Sequence, residues 1–203
     1  LSLNRSKMIS WIEEIESGYL DNPYHNRIHA ADVIQSMNWL IHRTRDALGS
    51  RFSDIELLAA LVSCAIHDFK HPGKSSNFLI KTLDPIAIHH NGLSVLESMH
   101  VSEAVALMLQ PKFNWAESMA RDQFLSFHEI VVSLVLATDM SKHVAIVGEF
   151  NSKVAGSGGI TMASPAERML VLTGLMQICD LSNSARPFEL YSEWTEVVCT
   201  EFR

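Results

Sequence analysis

Apolar residues recur at helical spacing along almost the whole chain, and hardly any stretch alternates apolar and polar residues for long enough to form a strand. This periodicity predicts an all-α fold, a compact domain of many helices. The predicted helices are residues 4–18, 23–45, 54–69, 75–82, 86–97, 101–109, 115–142, 143–154, 164–180 and 187–203. Two of them have clear start signals, because Asn22 precedes Pro23 and Ser164 precedes Pro165.

The chain is long enough to form one domain with a sizeable core. It has 203 residues, of which 47% are hydrophobic and 19% charged. No internal repeat or shift in composition separates two domains, and the glycine-rich stretch at 155–160 predicts a flexible connection between helices. We therefore expect residues 1–203 to belong to a single domain.

Composition and charge argue against several classes of protein. The longest apolar runs, LLAALVSCAI and EIVVSLVLAT, are too short to span a membrane, and no secretory leader opens the sequence. The net charge is −7 and no lysine or arginine block is present, which argues against binding of polymeric nucleic acid. Cys64, Cys179 and Cys199 form no CxxC pair and are odd in number, so a reducing, cytoplasmic setting is expected.

Histidines and carboxylates gather in three places, and the segment NPYHNRIHAADV is the first of them. If a helix begins at Pro23, His25 and His29 are four residues apart on one face and can address one site. The pair alone is weak evidence, because a core histidine beside a surface one has the same spacing.

The second place is the end of the apolar segment LLAALVSCAIHDFKHPG, where His67, Asp68 and His71 precede Pro72. An ionised carboxylate beside a hydrophobic core requires a cation or several hydrogen-bond donors. One carboxylate and two imidazoles suit a divalent metal. The competing interpretation is a helix cap or an ordinary ion pair.

The third place repeats this design, because the apolar segment MLVLTGLMQICDLSN ends on Asp180 with Asn183 close behind. Three helices thus each bring ligand-type side chains from a hydrophobic body to one end. Two histidines and two carboxylates make a plausible set of four ligands, and a carboxylate can bridge to a second ion. The four residues are His29, His67, Asp68 and Asp180.

Five segments, in order, resemble the signature segments of the class I cyclic nucleotide phosphodiesterase catalytic domain, a branch of the HD metallohydrolases. They are YHNRIHAADV, HDFKHPGKSSNFL, SVLESMH, LATDMSKH and CDLSNSARPFELYSEWTEVVCTEF. The resemblance implies a helical domain with two divalent metals, zinc in the tighter site and magnesium or manganese in the other. It also implies hydrolysis of a 3',5'-cyclic nucleotide to the 5'-nucleotide by metal-activated water.

The resemblance assigns roles to individual residues. The proposed ligands of the first metal match His29, His67, Asp68 and Asp180, and Asp68 would also reach the second metal. His25 matches the general acid that protonates the departing 3'-oxygen. The positions that hold water ligands of the second metal are His71, Glu97 and Thr138, and those that line the base pocket are Asn183, Tyr191, Trp194, Thr195, Val198 and Phe202.

These roles agree with the charge of the chain. A cyclic phosphate is an anion, and a chain of net charge −7 attracts one only where something local supplies positive charge, as divalent ions would. The alkoxide that leaves is a strong base, so an imidazolium beside it can contribute about 10²- to 10⁴-fold by donating a proton.

Two base-pocket assignments keep a structural alternative. Asn183 could hydrogen-bond a purine edge, which leans the expected substrate towards cyclic AMP with cyclic GMP as the alternative, but asparagine after a helix end is also a common cap. Tyr191 and Trp194 are i, i+3 neighbours, so ordinary packing would explain them equally well.

The sequence departs from the family pattern in supporting positions and at its end. HNG at 90–92 stands where the family has Tyr-Asn-Asp, and Met99, Cys179 and Ser184 replace the usual His, Ala and Pro. A glutamine and an aromatic residue that grip the purine in the family would lie beyond Arg203. The domain is therefore expected to be C-terminally incomplete, and its exposed apolar faces could favour a homodimer.

Two other functions stay open from the sequence alone. A different HD phosphohydrolase, acting on a linear nucleotide, would keep the metal ligands but has no reason to carry YHN or LYSEWT. The other is a metal- or nucleotide-binding regulatory module without turnover.

Overall fold

Ten α-helices and two short 3-10 turns are the regular structure assigned in residues 1–44, 51–156 and 158–203, which are the residues that the computed structural model describes. The helices are α1 Arg5–Gly18, α2 Arg27–Arg43, α3 Asp54–Ile66, α4 Ser76–Lys81, α5 Pro85–His89, α6 Val95–Met108, α7 Arg121–Leu136, α8 His143–Ala155, α9 Pro165–Asp180 and α10 Phe188–Glu201. The 3-10 turns are Met140–Lys142 and Ser182–Ala185. No strand occurs in the described residues, so the all-α prediction is confirmed.

The α3 helix lies at the centre of the core. Its start is fixed by a capping box, in which Ser53 and Glu56 satisfy each other's backbone amides. The helix packs against α2, α7 and α9, whose buried residues include Val33, Val131 and Leu172. A helix enclosed in this way carries the residues that follow it into the interior, where His67 is buried.

The α3 and α9 helices bring corresponding ends together. Near their first turns, Arg168 Nε donates to Glu56 Oε1 at 2.8 Å. At their last turns, His67 Nε2 and Asp180 Oδ1 are 3.3 Å apart. Both helices therefore deliver their C-terminal ends to the same place.

The start of α2 differs from the prediction. The predicted helix 23–45 begins at Arg27, because Asn26 is its N-cap and accepts hydrogen bonds from two amides of the first turn. His25 therefore lies before the helix, and the prediction that it shares a helix face with His29 is wrong. The predicted end at residue 45 lies outside the described residues.

Asn22, which was predicted to cap this helix, instead fastens two loops together. Its Nδ2 donates to the backbone carbonyl of His25 at 3.0 Å and to that of His71 at 2.7 Å. The loop before α2 is thereby tied to the loop after α3.

The predicted helices 86–97 and 101–109 break at a different point. The observed break follows His89 and ends before Val95. Residues 91, 92 and 94 have positive φ angles, which interrupt a right-handed helix.

Two further predicted helices are shorter than expected, whereas the remaining five agree within two residues at each end. The predicted helix 54–69 ends at Ile66. The predicted helix 115–142 is limited to Arg121–Leu136, because residues 115–119 form separate turns.

Helices α8 and α10 have no residue that is buried as a whole, although the side chain of Glu201 at the end of α10 is 2% exposed. Large apolar side chains on them face outward, such as Val144 at 82% and Phe188 at 74% exposure. Within the described ranges no single helix is long and apolar enough to cross a membrane. One pair of helical segments, Arg121–Leu136 with Met140–Ala155, would together be long and apolar enough, but the two are bent by 81° relative to each other.

Candidate metal centre and active site

Four potential metal ligands meet at the ends of three helices. His29 lies in the first turn of α2, His67 and Asp68 directly follow α3, and Asp180 is the last residue of α9. One donor atom of each residue lies within 4.8 Å of the other three. We call these four residues the His/Asp cluster.

The donor atoms of the His/Asp cluster are spaced as ligands of one ion would be. His29 Nε2 is 3.0 Å from Asp180 Oδ1 and 3.5 Å from Asp68 Oδ2. His67 Nε2 is 3.1 Å from Asp68 Oδ2 and 3.3 Å from Asp180 Oδ1. Ligands of a tetrahedral site with bonds of about 2.0–2.1 Å are about 3.3–3.4 Å apart, so the spacing fits a divalent metal.

The ring of His67 is oriented as a ligand. Its Nδ1 donates to the backbone carbonyl of Cys64 at 3.0 Å. Burial would lower the pKa of His67, but Asp68 and Asp180 outweigh it and raise that pKa. When the ring gives up its second proton to bind a metal, the lone pair is on Nε2. That Nε2 faces Nε2 of His29 at 3.2 Å. A backbone carbonyl that fixes the far nitrogen of a histidine in this way is a usual feature of metal sites.

Both carboxylates of the His/Asp cluster are ionised. Burial would raise the pKa of Asp68 and of Asp180, but interactions with the neighbouring histidines outweigh it and lower both pKa values below the ordinary range. Their side chains are only 13% and 18% exposed, so water screens the charges poorly. The cluster therefore attracts a cation.

His25 is held by a carboxylate to which the sequence analysis gave no role. Glu201, the last residue of α10, accepts hydrogen bonds from the backbone amides of Tyr24 at 2.7 Å and His25 at 2.9 Å, and from Nδ1 of His25. The Glu201 side chain is 2% exposed. Because Nδ1 is engaged, Nε2 is the ring nitrogen of His25 that is left to donate a proton.

The hydrogen bond between His25 and Glu201 also affects the charge of both side chains. Burial would lower the pKa of His25, but the hydrogen bond with Glu201 and the nearby carboxylates outweigh it and raise that pKa. Burial would raise the pKa of Glu201, whereas its hydrogen bonds with His25 lower it to about 2. His25 is thus suited to hold a proton near neutral pH, as a general acid must.

His71 lies face to face with His25, with ring centroids 3.9 Å apart. Its Nδ1 accepts from the backbone amide of Gly73 at 3.1 Å, which leaves a proton on Nε2 of the neutral ring. Burial lowers the pKa of His71 to about 3, so the ring is neutral at pH 7. His25, Asp68 and His71 form a second group of potential ligands within 4.8 Å, which brings His71 next to the His/Asp cluster.

Glu97 and Thr138 have different surroundings. Glu97 is in the first turn of α6, and its buried Oε2 has no hydrogen-bond partner among the described residues. Burial raises the pKa of Glu97 to about 7, and the charges of Asp139 and Asp68 act in the same direction. Thr138 follows α7 and donates its hydroxyl proton to the carbonyl of Val135 at 2.8 Å.

Three of the predicted base-pocket residues contact Tyr24 or His25. Trp194 packs edge-on against Tyr24, with centroids 5.6 Å apart, and Phe202 packs edge-on against His25 at 5.7 Å. Asn183 Nδ2 donates to the Tyr24 hydroxyl at 2.6 Å. The structure therefore places these three beside His25 or Tyr24, next to the His/Asp cluster.

The other three make contacts that are local to α10. The Thr195 hydroxyl donates to the carbonyl of Tyr191 at 2.8 Å, and the exposed Tyr191 ring lies 6.5 Å from that of Phe188. Val198 is half-buried. These contacts do not by themselves join the three residues to the His/Asp cluster.

Sequence reasoning gave no role to Glu201, Tyr24 or His100. His100 is buried in α6, donates from Nδ1 to the carbonyl of Phe69 at 2.6 Å, and has Nε2 3.8 Å from Asp68 Oδ1. Glu201 stands 176 residues from His25, and no spacing rule links positions so far apart. The available signals were that all three residues lie in signature segments and that Tyr24 adjoins His25.

The fold and the site define an all-helical domain built around a cluster of metal-ligand side chains. The chain belongs to the 3'5'-cyclic nucleotide phosphodiesterase family, whose profile matches residues 24–203. The resemblance seen in the five segments is thereby confirmed. The family implies divalent metals, for which the His/Asp cluster offers ligands.

Curated relatives of the chain are larger proteins. It is 36% identical over 205 residues to the probable 3',5'-cyclic-AMP phosphodiesterase pde-4 of Caenorhabditis elegans. This alignment covers 98% of this chain and 30% of the relative. It is 38% identical over 201 residues to the 3',5'-cyclic-AMP phosphodiesterase 4C of Rattus norvegicus. That alignment covers 96% of this chain and 37% of the relative. The chain thus spans about a third of the length of these relatives.

Solved structures share the fold. The phosphodiesterase domain of Salpingoeca rosetta rhodopsin phosphodiesterase has a TM-score of 0.92 at 28% identity, over 98% of this chain and 60% of that chain. The phosphodiesterase domain of the RhoPDE fusion protein from the same choanoflagellate has a TM-score of 0.91 at 28% identity, over 98% of this chain and 62% of that chain. The helical arrangement described above is that of a phosphodiesterase domain.

Proposed function

We propose that this protein hydrolyses 3',5'-cyclic nucleotides to 5'-nucleotides, with cyclic AMP as the preferred substrate and cyclic GMP as a second one. The observation that carries the proposal is the meeting of the His/Asp cluster, from three helix ends, beside the pair of His25 and Glu201. The names of the curated relatives favour cyclic AMP.

The His/Asp cluster would hold the first of two divalent metals, and Asp68 would also reach the second. Two imidazoles and two carboxylates suit zinc in the tighter site, and a site with mostly water ligands suits magnesium or manganese. When bound, the metals supply positive charge for the phosphate and lower the pKa of a bound water. Asp68 belongs to both groups of potential ligands, which supports the bridging role.

His25 would protonate the departing 3'-oxygen. Its Nδ1 is bound to Glu201, so the proton would leave from Nε2. Glu201 would act as a positioning residue that keeps the ring in place and charged. After the transfer, the carboxylate favours return of a proton to His25 and so prepares it for another cycle.

Three further residues would hold the water ligands of the second metal. His71 adjoins Asp68 and has its Nε2 proton available. The unpartnered Oε2 of Glu97 is a free acceptor at the edge of the site. Thr138 is proposed on the family match alone, because the hydrogen bond it makes is to its own segment.

The base would bind between the 3-10 turn Ser182–Ala185 and α10. We propose that Asn183 hydrogen-bonds the purine edge and that aromatic and apolar side chains cover its faces. The contacts of Trp194 with Tyr24 and of Phe202 with His25 support this placement. The proposed lining residues are Tyr191, Trp194, Thr195, Val198 and Phe202.

The wider setting is also a proposal. Cys64, Cys179 and Cys199 are all free, which supports a reducing, cytoplasmic location. The exposed apolar side chains of α8 and α10, such as Val144 and Phe188, support association through these faces, including a homodimer. Coverage of 60% of a solved phosphodiesterase domain supports residues 1–203 as part of one domain whose base pocket has further residues.

The test is hydrolysis by the full-length protein that carries this sequence, loaded with zinc and magnesium. We expect cyclic AMP to be converted to AMP faster than cyclic GMP to GMP. A chelator should abolish both reactions and added metal should restore them. Asp180→Asn should remove activity, whereas Asp84→Asn, at an N-cap outside the His/Asp cluster where asparagine serves equally well, should retain it.

Two results would contradict the proposal. Hydrolysis of linear nucleotides with no action on cyclic ones would indicate a different HD phosphohydrolase. Metal-dependent binding of cyclic nucleotides without any product would indicate a regulatory module.

A further inference from the structure

Tyr24 contacts four residues of the proposed active site. Its ring centroid lies 4.6 Å from that of His29, 4.8 Å from that of His25 and 5.6 Å from that of Trp194. Its hydroxyl accepts from Nδ2 of Asn183 at 2.6 Å. Tyr24 is therefore packed between a metal ligand, the acid and the base pocket.

The backbone around Asn183 is held separately. Arg186 Nη2 donates to Asp32 Oδ1 at 2.7 Å and to Ser36 Oγ at 3.0 Å, which ties the 3-10 turn Ser182–Ala185 to α2. These bonds hold the turn independently of Tyr24, so loss of the Tyr24 hydroxyl would act first on the side-chain amide of Asn183. The Tyr24 hydroxyl is bound to that amide.

The direction of the amide determines which purine edge it can bind. Nδ2 gives one of its two hydrogens to the Tyr24 hydroxyl, and Oδ1, on the other branch of the amide, is the acceptor left for a base. A carbonyl oxygen accepts a hydrogen bond from the 6-amino group of adenine, but it faces a second acceptor in the 6-oxo group of guanine or hypoxanthine. A site built to accept from an amino group discriminates against an analogue that lacks one.

We propose that Tyr24 is a positioning residue that sets the base preference, by holding the amide of Asn183 with its oxygen towards the purine. The inference rests on the proposed function, because it concerns which cyclic nucleotide that same site prefers. Tyr24 reaches the base only through Asn183, so its hydroxyl acts on the ratio between substrates more than on the rate of the chemical step.

The test compares cyclic AMP with cyclic IMP, whose base carries a 6-oxo group in place of the 6-amino group. In the full-length, metal-loaded protein, Tyr24→Phe keeps the ring but removes the hydroxyl. We expect the ratio of kcat/KM for cyclic AMP over cyclic IMP to fall about 5-fold, as for one lost hydrogen bond, and mainly through KM. A change in kcat alone, with the ratio intact, would overturn the inference.

Two controls separate this role from a structural one. Tyr19→Phe also removes a hydroxyl in the core, one that donates to the carbonyl of Ala65 at 3.0 Å, and it should leave the ratio as in the wild type. In an Asn183→Asp background there is no amide to reverse, so adding Tyr24→Phe should change the ratio less than about 2-fold. An equal fall in both backgrounds would contradict the inference.

Failure of the inference and failure of the proposed function give different results. If the wild type turns over neither substrate, the proposed function fails, and the inference is decided by calorimetric binding of AMP and IMP to the same variants. Tighter binding of AMP than of IMP by the wild type, with a smaller difference in Tyr24→Phe, supports the inference. Equal binding of AMP and IMP by the wild type overturns it. If turnover is normal and Tyr24→Phe keeps the wild-type ratio, only the inference fails.

Discussion

The carboxylate of Glu201 binds the ring and the backbone amide of His25, although 176 residues separate the two in sequence. The end of α10 is thereby fastened to the loop that precedes α2. The proposed acid is fixed at Nδ1, and its Nε2 is left free to act. The geometry of the acid thus depends on a contact between two segments that are far apart in the sequence.

Replacing Glu201 by glutamine should shift the pH dependence of turnover. His25 must be protonated to act as an acid, so activity falls as the pH rises through its pKa. The charge and hydrogen bond of Glu201 raise that pKa, and Glu201→Gln keeps an amide of the same shape but removes the charge. The alkaline limb of kcat should therefore move to lower pH. An unmoved limb would show that Glu201 does not set the charge of the acid.

The acid role of His25 can be separated from metal binding by the choice of leaving group. With cyclic AMP, His25→Ala should lower kcat by about 10²- to 10⁴-fold, because the departing alkoxide is strongly basic. With bis(4-nitrophenyl) phosphate, whose leaving group needs no proton, the loss should be much smaller. His42→Ala, at an exposed position in the last turn of α2, is the control. Equal losses on both substrates would argue against proton donation by His25.

The carboxylate of Glu201 should also contribute to the stability of the fold in a defined pH window. The pKa of Glu201 is about 2 in the fold against an ordinary value of 4.5, so the unfolded chain takes up the proton first as the pH falls. The contribution, of about 3 kcal/mol, is therefore complete above pH 4.5 and lost towards pH 2. In urea unfolding, the free energy of unfolding of the wild type should exceed that of Glu201→Gln at pH 6, and this difference should become smaller at pH 3. A difference that stays constant would contradict this assignment.

The ion pair between Glu56 and Arg168 should hold α3 and α9 in register. Glu56 is 7% exposed, and its Oε2 also accepts from the backbone amide of Ser53 at 2.7 Å. Glu56→Ala removes the capping box and leaves a partly buried guanidinium unpaired, so the free energy of unfolding should fall by about 3 kcal/mol. Glu14→Ala, on the exposed face of α1, should change it by less than about 0.5 kcal/mol. Similar denaturation midpoints for the two variants would refute this role.

Three of the four members of the His/Asp cluster could be singled out from the sequence, because His67, Asp68 and Asp180 lie at the ends of strongly apolar segments. These residues end or directly follow core helices whose pattern is plain in the sequence, and their convergence required only that those helices pack side by side. The start of α2 was misjudged, since Asn22 with Pro23 forms as good a local signal as the cap that the chain uses at Asn26. Local patterns cannot rank two such signals.

Contacts between distant segments could not be read from the sequence. The pairing of Glu201 with His25, and of Asn183 with Tyr24, depends on how α10 and the turn before it lie over the start of α2. Neither contact follows from periodicity or spacing. These two contacts orient the ring of His25 and the side-chain amide of Asn183.

The central claim is that His29, His67, Asp68 and Asp180 together bind a divalent metal. Anomalous X-ray diffraction at the zinc edge, from crystals of the zinc-loaded protein, tests it directly. We expect a peak at about 2.0–2.2 Å from one donor atom of each of the four residues. Full zinc loading with the peak elsewhere, or with no peak among these side chains, would contradict the account.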